Sequence, residues 1–302
     1  MAVTHRRAVL LMVLCTLMWS IAGVVTRHLD AARSFEVTFW RSGFNAAALF
    51  VALVLIRGRE LRRDLRTGGL ALWFSGLCWG IMYTNFMLAL TLTTVATVLV
   101  TLAIGPLVTA LFSRIFLHHR LPVRTWAAIG LAMAGIAWMF GRQALTGGAS
   151  MTGALVALGV PLAAAANWTL LQHLHQRHAA DPSIQEPQML PAVLLGALLS
   201  AAVTLPLALP LSATPHDMRL LAVLGVVQLA IPCLIVVRLS RVLAAPEISL
   251  LGLLEVLFGV LLAWAGAGEV PATEALTGGA LVLFALVGNE WIALRERGTA
   301  VE

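Results

Sequence analysis

Residues 95–139 read VATVLVTLAIGPLVTALFSRIFLHHRLPVRTWAAIGLAMAGIAWM, and this stretch decides the fold. Two long apolar runs flank a short turn that holds Arg114, Arg120 and Arg124. Runs of about twenty apolar residues suit helices that cross a bilayer, where each backbone polar group must be paired within its own segment. So short a connection makes the two helices an antiparallel hairpin.

The same pattern extends in both directions. Ten segments qualify as spans: 8–26, 36–56, 70–89, 95–115, 124–141, 151–172, 189–209, 219–238, 247–266 and 274–294. The expected fold is therefore an all-α integral membrane protein with ten transmembrane helices, leaving no stretch for a soluble domain. Composition agrees. Of the 302 residues 60% are hydrophobic and 11% charged, against about 25% charged in an ordinary soluble domain. That excludes a soluble enzyme, a nucleic-acid-binding domain and a disordered chain. The three cysteines, Cys15, Cys78 and Cys233, all lie in apolar runs and form no C-x-x-C motif, so neither a disulfide framework nor a zinc site is expected. The basic start before residue 8 looks like a signal peptide, but the run after it is long enough to span. It is expected to stay as the first helix.

Charge placement sets the orientation. All twenty basic residues are arginine. With the N-terminus inside, fifteen fall in cytoplasmic segments, among them Arg57, Arg59, Arg62, Arg63 and Arg66 in one connection. Four (Arg27, Arg33, Arg142 and Arg219) fall outside, and Arg41 lies within the second span. By the positive-inside rule both ends face the cytoplasm, and the basic balance reports topology rather than a nucleic-acid partner.

The halves also echo one another. At an offset of 149, Trp19 meets Trp168, Gly76 meets Gly225 and Gly130 meets Gly279; at 150, Ile104-Gly105-Pro106 meets Leu254-Glu255-Val256. The division expected is a five-helix unit over 1–146 and a second over 147–302. Because five is odd, the second unit enters the membrane inverted, the symmetry of many secondary transporters.

Several residues stand out inside the spans. Trp79, Met82, Tyr83 and Phe86 follow i, i+3, i+4, i+7 and share one face of the third helix. The stripe reads either as packing or as the lining of a cavity; it runs to mid-depth, where interfacial aromatic belts do not lie. Helices 1 and 6 supply Trp19 and Trp168, which pair at the repeat offset. Asn167, a buried amide, serves as interhelical glue or as a ligand contact. Gln228 is the repeat counterpart of Trp79 and is expected to face the same axis. Glu255 lies about 12 Å beyond the start of helix 9, from 1.5 Å per residue. A carboxylate at that depth marks a ligand or proton site, or else a locked interhelical pair. Pro106, Pro161 and Pro232 interrupt helices 4, 6 and 8 and are expected as breaks or gating points. Thr97 and Thr101 read as polar glue, and Arg41 as a side chain that snorkels or pairs near Glu36. His173, His175 and His178 lack a completing carboxylate and make a weak metal cluster. Gly130 with Ala134, and Gly278-Gly279, allow close packing in the fold or in a dimer.

Taken together, the pattern resembles the drug/metabolite transporter superfamily in its EamA-type branch. Val95-Ala96, Pro106-Leu107-Val108-Thr109-Ala110, Phe116-Leu117-His118-His119-Arg120-Leu121 and the glycines Gly130 and Gly135 follow that family's repeat signature. A second copy over 245–287 carries Glu255 where the family often has Glu-Pro, together with Glu269 and Gly278-Gly279. His119 departs from the usual loop glutamate, Val256 from the usual proline, and Ser20 from the usual glycine after Trp19.

Within the superfamily the aromatic cavity and arginine loops look most like YddG-type amino-acid exporters. The resemblance implies a bacterial-type inner-membrane secondary transporter, not an enzyme, that exports aromatic and other neutral amino acids by alternating access. It implies no cofactor or metal and no nucleic acid. The expected partners are a small-molecule substrate and the lipid bilayer, with the chain a monomer or homodimer. The expected substrate contacts are Trp19, Trp79, Tyr83, Asn167, Trp168, Gln228 and Glu255. The alternatives are a carrier of the same fold for another solute and, less favoured, a membrane enzyme or a channel.

Overall fold

The computed structural model describes residues 4–26, 28–32, 34–118, 121–146, 150–183, 187–267 and 273–299. His119, Arg120, Glu269, Arg27 and Arg33 lie outside these. Among the described residues all regular structure is helical. Nine helices are long and apolar enough to cross a membrane: α1 His5–Thr26, α2 Phe35–Arg57, α3 Gly69–Leu92, α4 Thr97–Phe116, α5 Val123–Arg142, α6 Met151–Ala180, α7 Leu190–Ala208, α8 Pro215–Leu239 and α9 Ala245–Leu262. A tenth, α10, covers Thr273–Thr299 and has a shorter apolar part, Thr273–Asn289. Large apolar side chains such as Leu55, Leu70 and Phe284 stand fully outward. That is the surface expected of a multi-pass membrane protein, whose solvent is hydrocarbon.

Two features depart from the sequence expectation. Helix α6 runs on to Ala180, because its polar tail, Gln172 to His178, continues the helix past the apolar part. The connection between α2 and α3 contains a short helix, Glu60–Thr67. It is anchored by Arg57, which donates to both oxygens of Asp64 at 2.7 and 3.1 Å and pairs with Glu60 at 3.0 Å.

The packing is regular. Helix α3 lies on α6 and α7, and α8 on α1 and α2; α4 lies on α6, and α9 on α1. Helix α2 packs on α7, α4 on α9 and α5 on α10. Exchanging each helix of the first five with the helix five places later returns this same set of pairs. Glycines permit the tightest crossings. A Cβ on Gly196 would fall 2.3 Å from the Cβ of Trp79, and one on Gly225 would fall 2.4 Å from the Cβ of Phe44. Gly135 and Gly278 are spent inside the fold, where α5 meets α10 backbone to backbone. Hydroxyl contacts bind α2, α3 and α7: Ser200 lies 3.0 Å from Ser42 and accepts from Thr84 at 3.0 Å.

Four helices are irregular near their middles. Helix α1 is interrupted at Ile21, α4 at residues 103–104 and α9 at Leu253, while α8 contains a π-helical turn, Leu224–Ala230. In α4 and α9 the break is a tighter i→i+3 turn, with Ile104 N–H donating to the Thr101 carbonyl and Leu253 N–H to the Leu250 carbonyl. Proline explains two of these. Pro106 and Pro232 each sit in the first turn of the segment after the irregularity, where a missing N–H costs nothing. In each case the pyrrolidine ring would crowd the carbonyl four residues back in a continuous helix. Pro161, by contrast, lies within an unbroken α6. The break in α9 has no proline.

Candidate functional site

The irregular segments surround one cavity of about 200 Å³. This is below the range of about 300–1,000 Å³ usual for drug-sized ligands, and it fits a small solute. Helix α1 contributes Met12 and Trp19; α2 Arg41; α3 Trp79, Met82, Tyr83 and Phe86; and α4 Leu99, Leu102, Gly105 and Pro106. From the second half come Val160, Pro161, Ala164 and Trp168 of α6, Gln228, Leu229 and Cys233 of α8, and Ile248, Ser249, Gly252, Leu253, Glu255 and Val256 of α9.

The aromatic wall is built by helical periodicity. Tyr83 follows Trp79 by one turn, with ring centroids 5.6 Å apart, and Trp168 meets Trp79 edge-on at 5.4 Å and 86°. All three are buried. Among the described residues the indole N–H of Trp79 has no hydrogen-bond partner, and the hydroxyl of Tyr83 lies beside Cys233 and Asn45. Gln228, inside the π-turn, donates from Nε2 to the carbonyl of Trp19 at 3.3 Å and leaves its Oε1 unpartnered. Glu255 sits in the first turn of the helix segment Leu254–Ala267, where the aligned peptide dipoles favour a negative charge.

Arg41 is placed quite differently from its expected position near the membrane surface. It is 2% exposed and lines the cavity. Its Nη2 donates to the backbone carbonyl of Tyr83 at 3.2 Å, and its Nε has no partner. It does not pair with Glu36, whose carboxylate instead accepts from the N–H groups of Ser212 and Ala213 and from the Ser212 hydroxyl. The sequence reading placed Arg41 by its distance from the helix end. That distance does not reveal that α2 is enclosed by α7 and α8. The available signal was the general rule that an ionisable residue within a span faces the interior.

Asn167 and Pro232 lie off the cavity. Asn167 is fully buried and accepts from the Ser75 hydroxyl at 2.6 Å, so it joins α6 to α3. The Pro232 carbonyl accepts the thiol of Cys15. The Thr101 hydroxyl donates to the carbonyl of Thr97, and the Thr97 hydroxyl lies 2.8 Å from that of Thr94, so neither hydroxyl needs a ligand.

The two ends of the cavity differ. Toward the arginine-rich connections, the first segment of α9, Ala245–Gly252, packs on α1, on α6 and on the second segment of α4. Bonds between His5 and Glu247 and from Ala245 N–H to Gln172 Oε1 close this end. Toward the other end, the second segment of α9 packs on α1, and the first segment of α4, Val95–Leu102, packs on α5 and α6. Among the described residues these two segments share no packed interface. Among the described residues, the segments of α4 and α9 are thus packed together at the arginine-rich end and apart at the opposite one.

With this geometry in hand, comparison with known proteins gives a direct result. Residues 6–141 match the EamA-like transporter family. The match covers the first five helices and supports a multi-pass membrane transporter. A crystal structure of a protein 18% identical in sequence superposes with a TM-score of 0.77, over 96% of this chain and 98% of the other. At that identity the likeness shows a shared fold, over nearly the whole of both chains. Among curated proteins none matches the chain by sequence.

Proposed function

We propose that this chain is a secondary transporter of the EamA-like type that exports aromatic and other neutral amino acids by alternating access. One observation carries the reading. Of the described residues lining the cavity only Arg41 and Glu255 are a strong base and an acid, one of each, and they line it together with three tryptophans and a tyrosine. A net-neutral, aromatic-walled cavity disfavours dications and dianions, each of which would meet a like charge in a poorly solvated space. It favours a zwitterion with an apolar side chain. Aromatic faces also attract an ammonium group.

The proposed cycle follows from the breaks. Interrupted helices let short segments move about a fixed site, as in transporters built from inverted repeats. In this reading the units 1–146 and 147–302 rock against each other, and Pro106 and the break at Leu253 act as hinges. In this reading, by the positive-inside rule, both chain ends lie in the cytoplasm and the membrane is of the bacterial inner type, so the cavity opens outward, as after release. One chain encloses the whole cavity, so a monomer suffices for the site. The test is uptake by proteoliposomes of labelled phenylalanine, tryptophan, threonine and alanine, with and without an imposed proton gradient. Saturable uptake with the aromatic solutes preferred is expected; no uptake of any of the four overturns the reading.

A further inference from the structure

We propose that Arg41 and Glu255 read the two charges of the substrate's amino-acid backbone, Arg41 taking the carboxylate and Glu255 the ammonium. This rests on the transport reading above and specifies how the ligand is held. Arg41 is almost wholly enclosed, yet only one of its donors is engaged, with the Tyr83 carbonyl, and the unpartnered Nε belongs to a side chain that lines the cavity. A guanidinium offers five donors in a planar fork that matches a carboxylate. Burying one at this depth with its donors idle is costly.

The opposite charge in the cavity does not offset that cost. Glu255 lines the same cavity and lies within electrostatic reach of Arg41, but no ion pair within 4.0 Å joins them among the described residues. The other titratable groups facing the space are Tyr83 and Cys233, both neutral in their ordinary forms. The two charges therefore line one cavity of about 200 Å³ without an ion pair between them among the described residues. A molecule carrying both a carboxylate and an ammonium satisfies both at once. An anion without the ammonium leaves Glu255 uncompensated, and a cation without the carboxylate leaves Arg41 uncompensated. The aromatic wall beside Arg41, through Tyr83 and Trp79, is then left for the side chain.

The experiment is calorimetric titration of the purified full chain in detergent with phenylalanine, phenylalaninamide and 3-phenylpropionate at neutral to mildly alkaline pH, with the affinity for phenylalaninamide referred to its protonated fraction. The wild type is expected to prefer phenylalanine to either analogue by about tenfold to a hundredfold, the scale of a hydrogen-bonded charge contact. In Arg41→Gln the preference over the amide falls to near unity while that over 3-phenylpropionate persists. In Glu255→Gln the pattern reverses. Arg41→Lys, which keeps the charge without the fork, retains part of the preference and serves if Arg41→Gln does not fold. Equal binding of phenylalanine and its amide by the wild type overturns the Arg41 assignment but leaves amino-acid transport standing. So does an Arg41→Gln variant that weakens both ligands equally. Binding of no amino acid by the wild type overturns both readings together.

Discussion

The side chain of Gln228 donates across the two halves of the chain to the backbone carbonyl of Trp19 at 3.3 Å. Both partners sit where their helices are irregular: Trp19 is two residues before the interruption of α1, and Gln228 lies in the π-turn of α8. A π-turn widens the helix and often marks a functional site. Here it lies directly before Pro232, whose ring would otherwise crowd the Gln228 carbonyl. One amide therefore ties two irregular helices at the wall of the cavity. Replacing Gln228 by Leu is expected to destabilise the protein by about 0.6–2 kcal/mol, the range for interhelical hydrogen bonds in membranes. Thermal unfolding in detergent measures this, and an unchanged Tm would show that the bond contributes nothing.

Gly196 is the point where α7 comes closest to α3. A methyl group there would meet the Cβ of Trp79 at 2.3 Å and the backbone N of Gly80 at 2.8 Å. The backbone contact cannot yield by a rotamer change, so Gly196→Val must push α3, with Trp79 and Tyr83, toward the cavity. Overpacking of this kind costs about 1–3 kcal/mol. The expected result is a lower Tm together with loss of phenylalanine binding; a variant of normal Tm and normal binding contradicts the packing described.

Asp217 holds the loop that follows α1. Its carboxylate accepts from the N–H groups of Asp30, Ala31, Ala32 and Thr214 and is fully buried. Asp217→Ala leaves several donors unpaired, each worth about 1–3 kcal/mol when buried. The variant is expected to lose at least about 2 kcal/mol of stability by the same scale. Protease nicking of the loop at residues 28–32 should rise well above that of the wild type.

His5 and Glu247 meet at the closed end of the cavity, linking the starts of α1 and α9. Cysteines at both positions, joined by a short crosslinker, are expected to hold that end shut. Phenylalanine binding from the open end should survive, while transport falls to background and returns when the link is cleaved. Transport at the uncleaved wild-type rate would mean that this end does not open in the cycle.

How much of this was legible beforehand depended on which physical signal each residue gave. Hydropathy alone located the ten helices, because hydrocarbon imposes one length and one backbone solution. The 3.6-residue period grouped Trp79 with Tyr83, and the repeat offset pointed Gln228 at the same axis; both line the cavity. Asn167 is adjacent to Trp168, yet it turns away to Ser75, because neighbouring positions on a helix point about 100° apart. Arg41 was misjudged because the enclosure of α2 depends on tertiary packing that no local pattern encodes. The break at Leu253 had no proline to announce it.

The central claim is that a single solute site is exposed to one side of the membrane at a time. Counterflow tests it most directly. Proteoliposomes loaded with unlabelled phenylalanine and diluted into a trace of labelled phenylalanine should accumulate label transiently above equilibrium, with no ion gradient imposed. A channel, or a protein with no such site, would let the label rise only to equilibrium or not enter at all, and that result would contradict the account.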